Sequence, residues 1–426
     1  MIVTNTVSIL FHAADVTVLA LLADGPAVAA VGACGSLITL LVSLFSGFAT
    51  GANVLISKRI GAEDEEGTKR SVGTSLVIGL LSGLALMTVA LIFAKDLLLL
   101  MKCRPAVLDM AALYMRIYFL GMPIMMLNSF ATAVLRASGD SVRPMAYMIV
   151  SGILNVLSNF FFVAVFDMTA EGVALATLLS SAVGLALVLI RLIRSKGICR
   201  VQTKYLRICR AELAEILRVG FPTVLCSIFF YFANVVLASA VNSIGIDAME
   251  ANSISGQFDG VIYTVGTAIA TATSVMVGQN YGAKQFERIR KIIKTSILYV
   301  SAVSIFLGVS FVLLADPLLS ILSDDPTVIA IAKDRMTLLC LTYFITSIME
   351  VFAFSLRALK QQNVTAVVGA ICGTIRCLWV WFIWPLGSGL SWLFACYAVS
   401  AFLAIVIYCF AYKKAVRSFG TLLVKA

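Results

Sequence analysis

Long apolar runs, broken only by short polar joints, recur from one end of this chain to the other. The clearest cover residues 71–93, 145–166, 172–190 and 395–410. At 1.5 Å per residue, an apolar helix of roughly 18 or more residues crosses a hydrocarbon core about 30 Å thick. The pattern predicts helices over 2–23, 28–57, 69–94, 107–136, 143–166, 170–193, 213–243, 248–279, 287–314, 327–356, 363–385 and 388–412.

Composition makes lipid the solvent. Of 426 residues, 61% are hydrophobic and 13% charged, and the mean hydropathy is +1.02. A soluble domain carries about 25% charged residues to wet its surface. The expected fold is an all-α integral membrane protein of about twelve transmembrane helices in two pseudo-symmetric six-helix bundles. The expected divisions are an N-terminal lobe over 1–195, a basic linker over 196–212 and a C-terminal lobe over 213–426.

Lys and Arg favour the cytoplasmic side of a membrane. With the N-terminus inside, most of the 32 basic residues fall on that side, as at Lys58, Arg59, Lys69, Arg70, Arg290 and Lys291. The outer joints carry Asp24, Asp167, Asp247, Asp316, Asp324 and Asp325, with Lys333 and Arg335 near the outer ends. Only Arg376 falls deep within a span. Both termini are expected in the cytoplasm, in a plasma membrane. The net charge of +10 then marks a basic face against anionic lipid and no nucleic-acid partner. The ten cysteines show no CxxC spacing, so neither a zinc site nor a redox motif is expected. No nucleophile–base or metal constellation points to an enzyme, and no cofactor is implied.

The halves match at one offset. Ile60-Gly61-Ala62 pairs with Tyr281-Gly282-Ala283, Lys69-Arg70 with Arg290-Lys291, and Leu135-Arg136-Ala137 with Leu356-Arg357-Ala358, each 221 residues apart. Six spans per half give both halves one orientation. Such parallel repeats are related by an axis along the membrane normal and place a substrate site near the midplane. Gly61 and Gly282 are expected to take the left-handed backbone that ends a helix. Arg136 and Arg357 are expected to close their helices at the inner interface, favoured by the helix dipole and lipid phosphates.

These repeated segments carry a further signal. The run from Gly47 to Ala62 (GFATGANVLISKRIGA) and that from Gly278 to Arg288 (GQNYGAKQFER) resemble the ends of the second and eighth spans in multidrug and toxic compound extrusion (MATE) transporters. LRASGDSVRP at Leu135–Pro144, GVALAT at Gly172–Thr177 and GFP at Gly220–Pro222 are similar to other turns of that family. The resemblance spans nearly the whole chain, although family members usually carry some fifteen more residues ahead of Asp15. It implies export of small, often cationic, amphipathic compounds in exchange for sodium ions or protons by alternating access, by a monomer. Its partners would be substrate, coupling cation and lipid.

A carboxylate in hydrocarbon costs about 2.5–3.5 kcal/mol even on the lenient insertion scale, so it faces a cavity or a partner. Asp15, Asp259 and Glu350 are the three acids placed this way. The resemblance makes Asp15 part of a cation site in the first lobe, a possible sodium site, beside two residues four apart on the fifth span. Those are an Asn and an Asp in the family, but Asn155 and Asn159 here. His12, at i−3 from Asp15, shares its helix face. Asp259, with Gln257 close by, and Glu350 are the acids of the second lobe, and Arg376 is the natural partner for one of them. Phe230, Tyr231 and Trp379 are among the aromatics able to stack on cationic ligands. The alternatives are a lipid-linked precursor flippase, which would line its cavity with Arg or Lys, and a non-transporting scaffold, which would need soluble domains.

Overall fold

In the computed structural model the described backbone covers residues 25–100, 105–166, 168, 170–195, 197–387 and 389–424. The predicted first span, with His12 and Asp15, lies outside the described residues. The helices are α1 Gly25–Gly61, α2 Glu65–Leu100, α3 Pro105–Leu120, α4 Met122–Ala137, α5 Val142–Phe160 and α6 Ala170–Arg194. They continue with α7 Arg210–Ile244, α8 Ile246–Gly282, α9 Phe286–Leu313, α10 Ala315–Ser320, α11 Pro326–Ala358, α12 Gln362–Leu378 and α13 Leu390–Val424. Nine of the described helices are long and apolar enough to span a membrane, and the bent pair α3–α4 makes a tenth.

That pair departs from expectation. One helix was predicted over 107–136, but the chain bends by 45° around Gly121. Pro123 in the first turn of α4 lacks the N–H that would continue the α3 ladder. The bend also meets α2, where a Cβ on Gly83 would lie 2.5 Å from the Pro123 Cα.

The chain divides into two compact units, one ending at Gly220 and the other beginning at Phe221. The internal repeat is visible in the backbone. α1 and α8 each start and end 221 residues apart, as do the starts of α2 and α9 and the ends of α4 and α11. α5 and α12 both finish in a π-helical turn, Phe161–Val165 and Trp379–Ile383. The turns after α1 and α8 repeat bond for bond. The Asp64 amide donates to the Arg59 carbonyl and the Gln285 amide to that of Asn280.

These turns correct one expectation. Gly61 and Gly282 are the last helical residues, and the left-handed positions are Glu63 (φ 55°) and Lys284 (φ 57°), two residues later. Their carbonyl-capping bonds form a Schellman arrangement. After α4 and α11 the equivalent positions are Gly139 (φ 88°) and Lys360 (φ 63°), so only one of the four uses glycine.

The exposed faces of the helices are apolar, and small residues line parts of the buried faces. On α9, Leu298, Phe306 and Leu313 are exposed, while Ser296, Val300, Ser304 and Gly308 recur every fourth residue on the buried face. Small residues let helix backbones approach closely where lipid removes the hydrophobic drive to associate. Ser304 Oγ donates to Ser347 Oγ of α11 at 2.9 Å.

At the Lys58–Arg59 end of the first unit, the basic linker is strapped down by acids of α7. Glu212, only 4% exposed, accepts from Arg70 Nε at 3.3 Å and faces Arg59 at 3.9 Å. Glu215 pairs with Lys58 at 3.0 Å. Thr74 Oγ1 donates to the Arg207 carbonyl, and Gly73 leaves room for the Tyr205 carbonyl against α2. In the adjoining turn, the Gly67 amide and then the Arg59 guanidinium hold the Asp64 carboxyl below its usual range. Replacing Glu212 with Ala is expected to weaken the strap by about 1.5–3 kcal/mol, the worth of hydrogen bonds to a charged group. Trypsin should then cleave faster at exposed Lys204 and Arg207; an unchanged digestion rate would contradict this role.

Candidate functional site

In the first unit the predicted amides form a polar seam between α5 and α6. Asn155 and Asn159 lie one helical turn apart, 6% and 0% exposed. Asn159 Nδ2 donates to Asn155 Oδ1 at 3.5 Å, and Asn155 Nδ2 to Thr177 Oγ1 at 3.4 Å. One turn away, Ser151 Oγ donates to the Ser180 carbonyl at 2.6 Å. Every one of these groups is neutral, and Asp15, expected beside them, lies outside the described residues.

The second unit holds the charges. Asp259 sits on α8 one turn after Ser255, on the same face. Arg335 Nη1, from α11, donates to Asp259 Oδ1 and to Ser255 Oγ, both at 2.9 Å. Ser255 Oγ in turn donates a hydrogen bond to the Ala251 carbonyl. The Arg335 guanidinium lies 4.3 Å from the centre of the Phe394 ring and the residue is only 4% exposed. The sequence placed this arginine near an outer helix end and offered Arg376 as the partner of either Asp259 or Glu350. Gln257, expected beside Asp259, points elsewhere. It is exposed, because residues two apart on a helix do not share a face.

Arg376 pairs with neither acid. Its Nε donates to Ser400 Oγ at 3.2 Å, and its guanidinium lies 4.0 Å from the Tyr397 ring and 5.5 Å from that of Phe230. Tyr397 is itself fixed by donating its hydroxyl to Asn234 Oδ1 at 2.6 Å. Phe230, one of the aromatics expected to stack on ligands, thus faces a cation of the protein's own. A guanidinium between two ring faces keeps its charge out of hydrocarbon without a carboxylate.

Glu350 is the remaining acid. It lies on α11, half-buried, and makes no hydrogen bond or ion pair within 4.0 Å among the described residues. Its charged neighbours are Arg357 and Arg376. Arg357 does close α11, as expected. It does not reach toward lipid phosphate, however: it is 7% exposed and lies over the Phe354 ring at 4.8 Å. Arg136 holds the equivalent place in the last turn of α4. No cluster of three or more His, Cys, Asp or Glu residues able to hold a metal occurs among the described residues.

Sequence reasoning missed Arg335, Tyr397 and Asn234. The aromatic residue near a buried cation was the one available signal, since Phe394 and Tyr397 lie three apart on α13 and receive Arg335 and Arg376 respectively.

Comparison with known proteins agrees with this architecture. The MatE family model matches residues 1–161 and 222–381, one segment in each half. The chain is 27% identical over 410 residues to a probable multidrug resistance protein, YoeA, of Bacillus subtilis, covering 91% of this chain and 87% of that one. It is 22% identical to the multidrug export protein MepA of Staphylococcus saprophyticus, covering 88% and 83%. Among solved structures, the Vibrio cholerae MATE transporter VcmN, as a single-residue variant, superposes with a TM-score of 0.90 at 20% identity, over 98% of this chain and 95% of that one. A MOP-superfamily transporter from Pyrococcus furiosus, described as having a binding pocket of reverse polarity, superposes at 0.88 and 20% identity, over 99% and 94%. With both halves of the repeat matched by one family model, the chain belongs to the MATE family of membrane transporters.

Proposed function

We propose that this chain exports small, often cationic, amphipathic compounds in exchange for sodium ions or protons, by alternating access. The observation that carries the reading is the Glu350 carboxylate, lodged within a span with Arg357 and Arg376 as charged neighbours and no hydrogen-bond or ion-pair partner among the described residues. An acid held this way binds a cation or a proton at far lower cost than it remains bare in hydrocarbon. Binding and release of that cation is the exchange that antiport needs. In the first unit Asp15 would supply the corresponding carboxylate, with Asn155, Asn159 and Thr177 offering neutral ligands to whatever cation it holds. The names of the relatives, multidrug resistance and multidrug export, support the substrate class. The protein would work as a monomer in a bacterial plasma membrane, both termini in the cytoplasm.

Arg335 and Arg376, 4% and 3% exposed, are engaged by Asp259 and by aromatic rings. That disfavours a flippase, which would present free cations to a pyrophosphate lipid.

The test is ethidium uptake into everted vesicles under an imposed sodium or pH gradient. Glu350→Gln and Asp15→Asn are each expected to lower gradient-driven transport 5–150-fold, roughly the span of ordinary coupling energies. Full transport with unchanged gradient dependence in both variants would overturn the proposal.

A further inference from the structure

Asp259 and Ser255 present oxygens one helical turn apart on α8, within the second unit, and Arg335 fills the space in front of both. The contact is one-sided. A single nitrogen, Nη1, serves both oxygens, and only Oδ1 of the carboxylate is engaged. Arg335 Nε is buried with no hydrogen-bond partner among the described residues. An arginine kept for its ion pair alone favours the two-pronged match of guanidinium to carboxylate. Here a single guanidinium nitrogen bridges a carboxylate oxygen and a hydroxyl oxygen, the kind of ligand that also holds a hard inorganic cation.

We propose that Arg335 is a tethered cation occupying an oxygen-lined monovalent-cation site on α8, and that it keeps sodium from binding at Asp259. A covalently attached charge is present at an effective concentration that free sodium does not match. Arg335 thus decides which acid receives the inorganic ion. Asp259 is neutralised permanently, and the exchange is left to the other carboxylates of the spans. The assignment concerns cation binding to the folded protein and stands whether or not the chain exports drugs.

The experiment is thermal unfolding of the purified full-length protein in detergent, in sodium chloride and in choline chloride at equal ionic strength. The readout is the sodium-dependent shift of each variant relative to wild type. Arg335→Gln is expected to gain a sodium-specific rise in midpoint on the order of 2–4 °C, the size of a mass-action stabilisation. Adding Asp259→Asn should abolish the gain, and Arg335→Lys, which restores a tethered charge, should not show it. Arg335→Met leaves the same carboxylate exposed and keeps the apolar stem packed over Phe394. It serves as the second variant if Arg335→Gln does not fold. Equal midpoints in both salts for a folded Arg335→Gln or Arg335→Met protein would overturn the proposal and leave a structural ion pair. A gain that survives Asp259→Asn would overturn it as well.

Discussion

Asp259→Ala should lower the stability of the second unit by about 3–5 kcal/mol, the cost of stranding one member of a buried ion pair. Arg335 would be left 4% exposed, with the Ser255 hydroxyl and the Phe394 ring facing a full charge. Neither replaces a carboxylate in a medium without water. The measurement is loss of the monodisperse peak on heating in detergent. The double variant Asp259→Ala with Arg335→Met should recover most of the loss, because removing both charges also removes the desolvation burden. If the single and double variants were equally unstable, the loss would come from packing and the charge argument would be wrong.

Gly308→Val is expected to be comparably damaging for a different reason. A Cβ at Gly308 would run into the Cys340 carbonyl of α11, with the carbonyl carbon 2.9 Å away. Both groups are tied to helix backbones, so no side chain can turn aside. α9 and α11 would have to separate, breaking the Ser304–Ser347 hydrogen bond one turn away. Overpacking of this kind costs about 1–3 kcal/mol or more, and the smaller entropic gain from replacing a helical glycine does not offset it. Gly260→Ala is the control. Nothing lies within 4 Å of its added Cβ, so that variant should be neutral or slightly more stable. Equal midpoints for Gly308→Val and wild type would show that the interface is softer than the packing implies.

Much of the fold was legible in the chain because a bilayer leaves few options. Backbone groups in lipid must be bonded within their own helix, so an apolar run of sufficient length can only be a span. The predicted 248–279 and 327–356 accordingly fall inside α8 and α11. The 221-residue offset, read from three short motifs, recurs in helix ends and left-handed positions. The glycine rule failed at Gly61 and Gly282 because helix-ending turns are fixed by their hydrogen bonds, which Glu63 and Lys284 satisfy at a modest conformational cost. The bend at Gly121 was missed because hydropathy counts length and does not register a break in a hydrogen-bond ladder.

Class, span pattern, internal repeat and family were thus determined by the sequence alone, because each depends on periodicity and length along one strand of covalent chain. The partner of each buried charge was decided only in three dimensions. Arg376, 26 residues from Glu350, is stacked between rings, while Arg335, 76 residues from Asp259, closes the ion pair. Which residues meet across two helices depends on helix rotation and crossing, and those are set by small residues such as Gly308 and Gly266 that let particular faces touch. No rule that runs along the chain encodes that rotation.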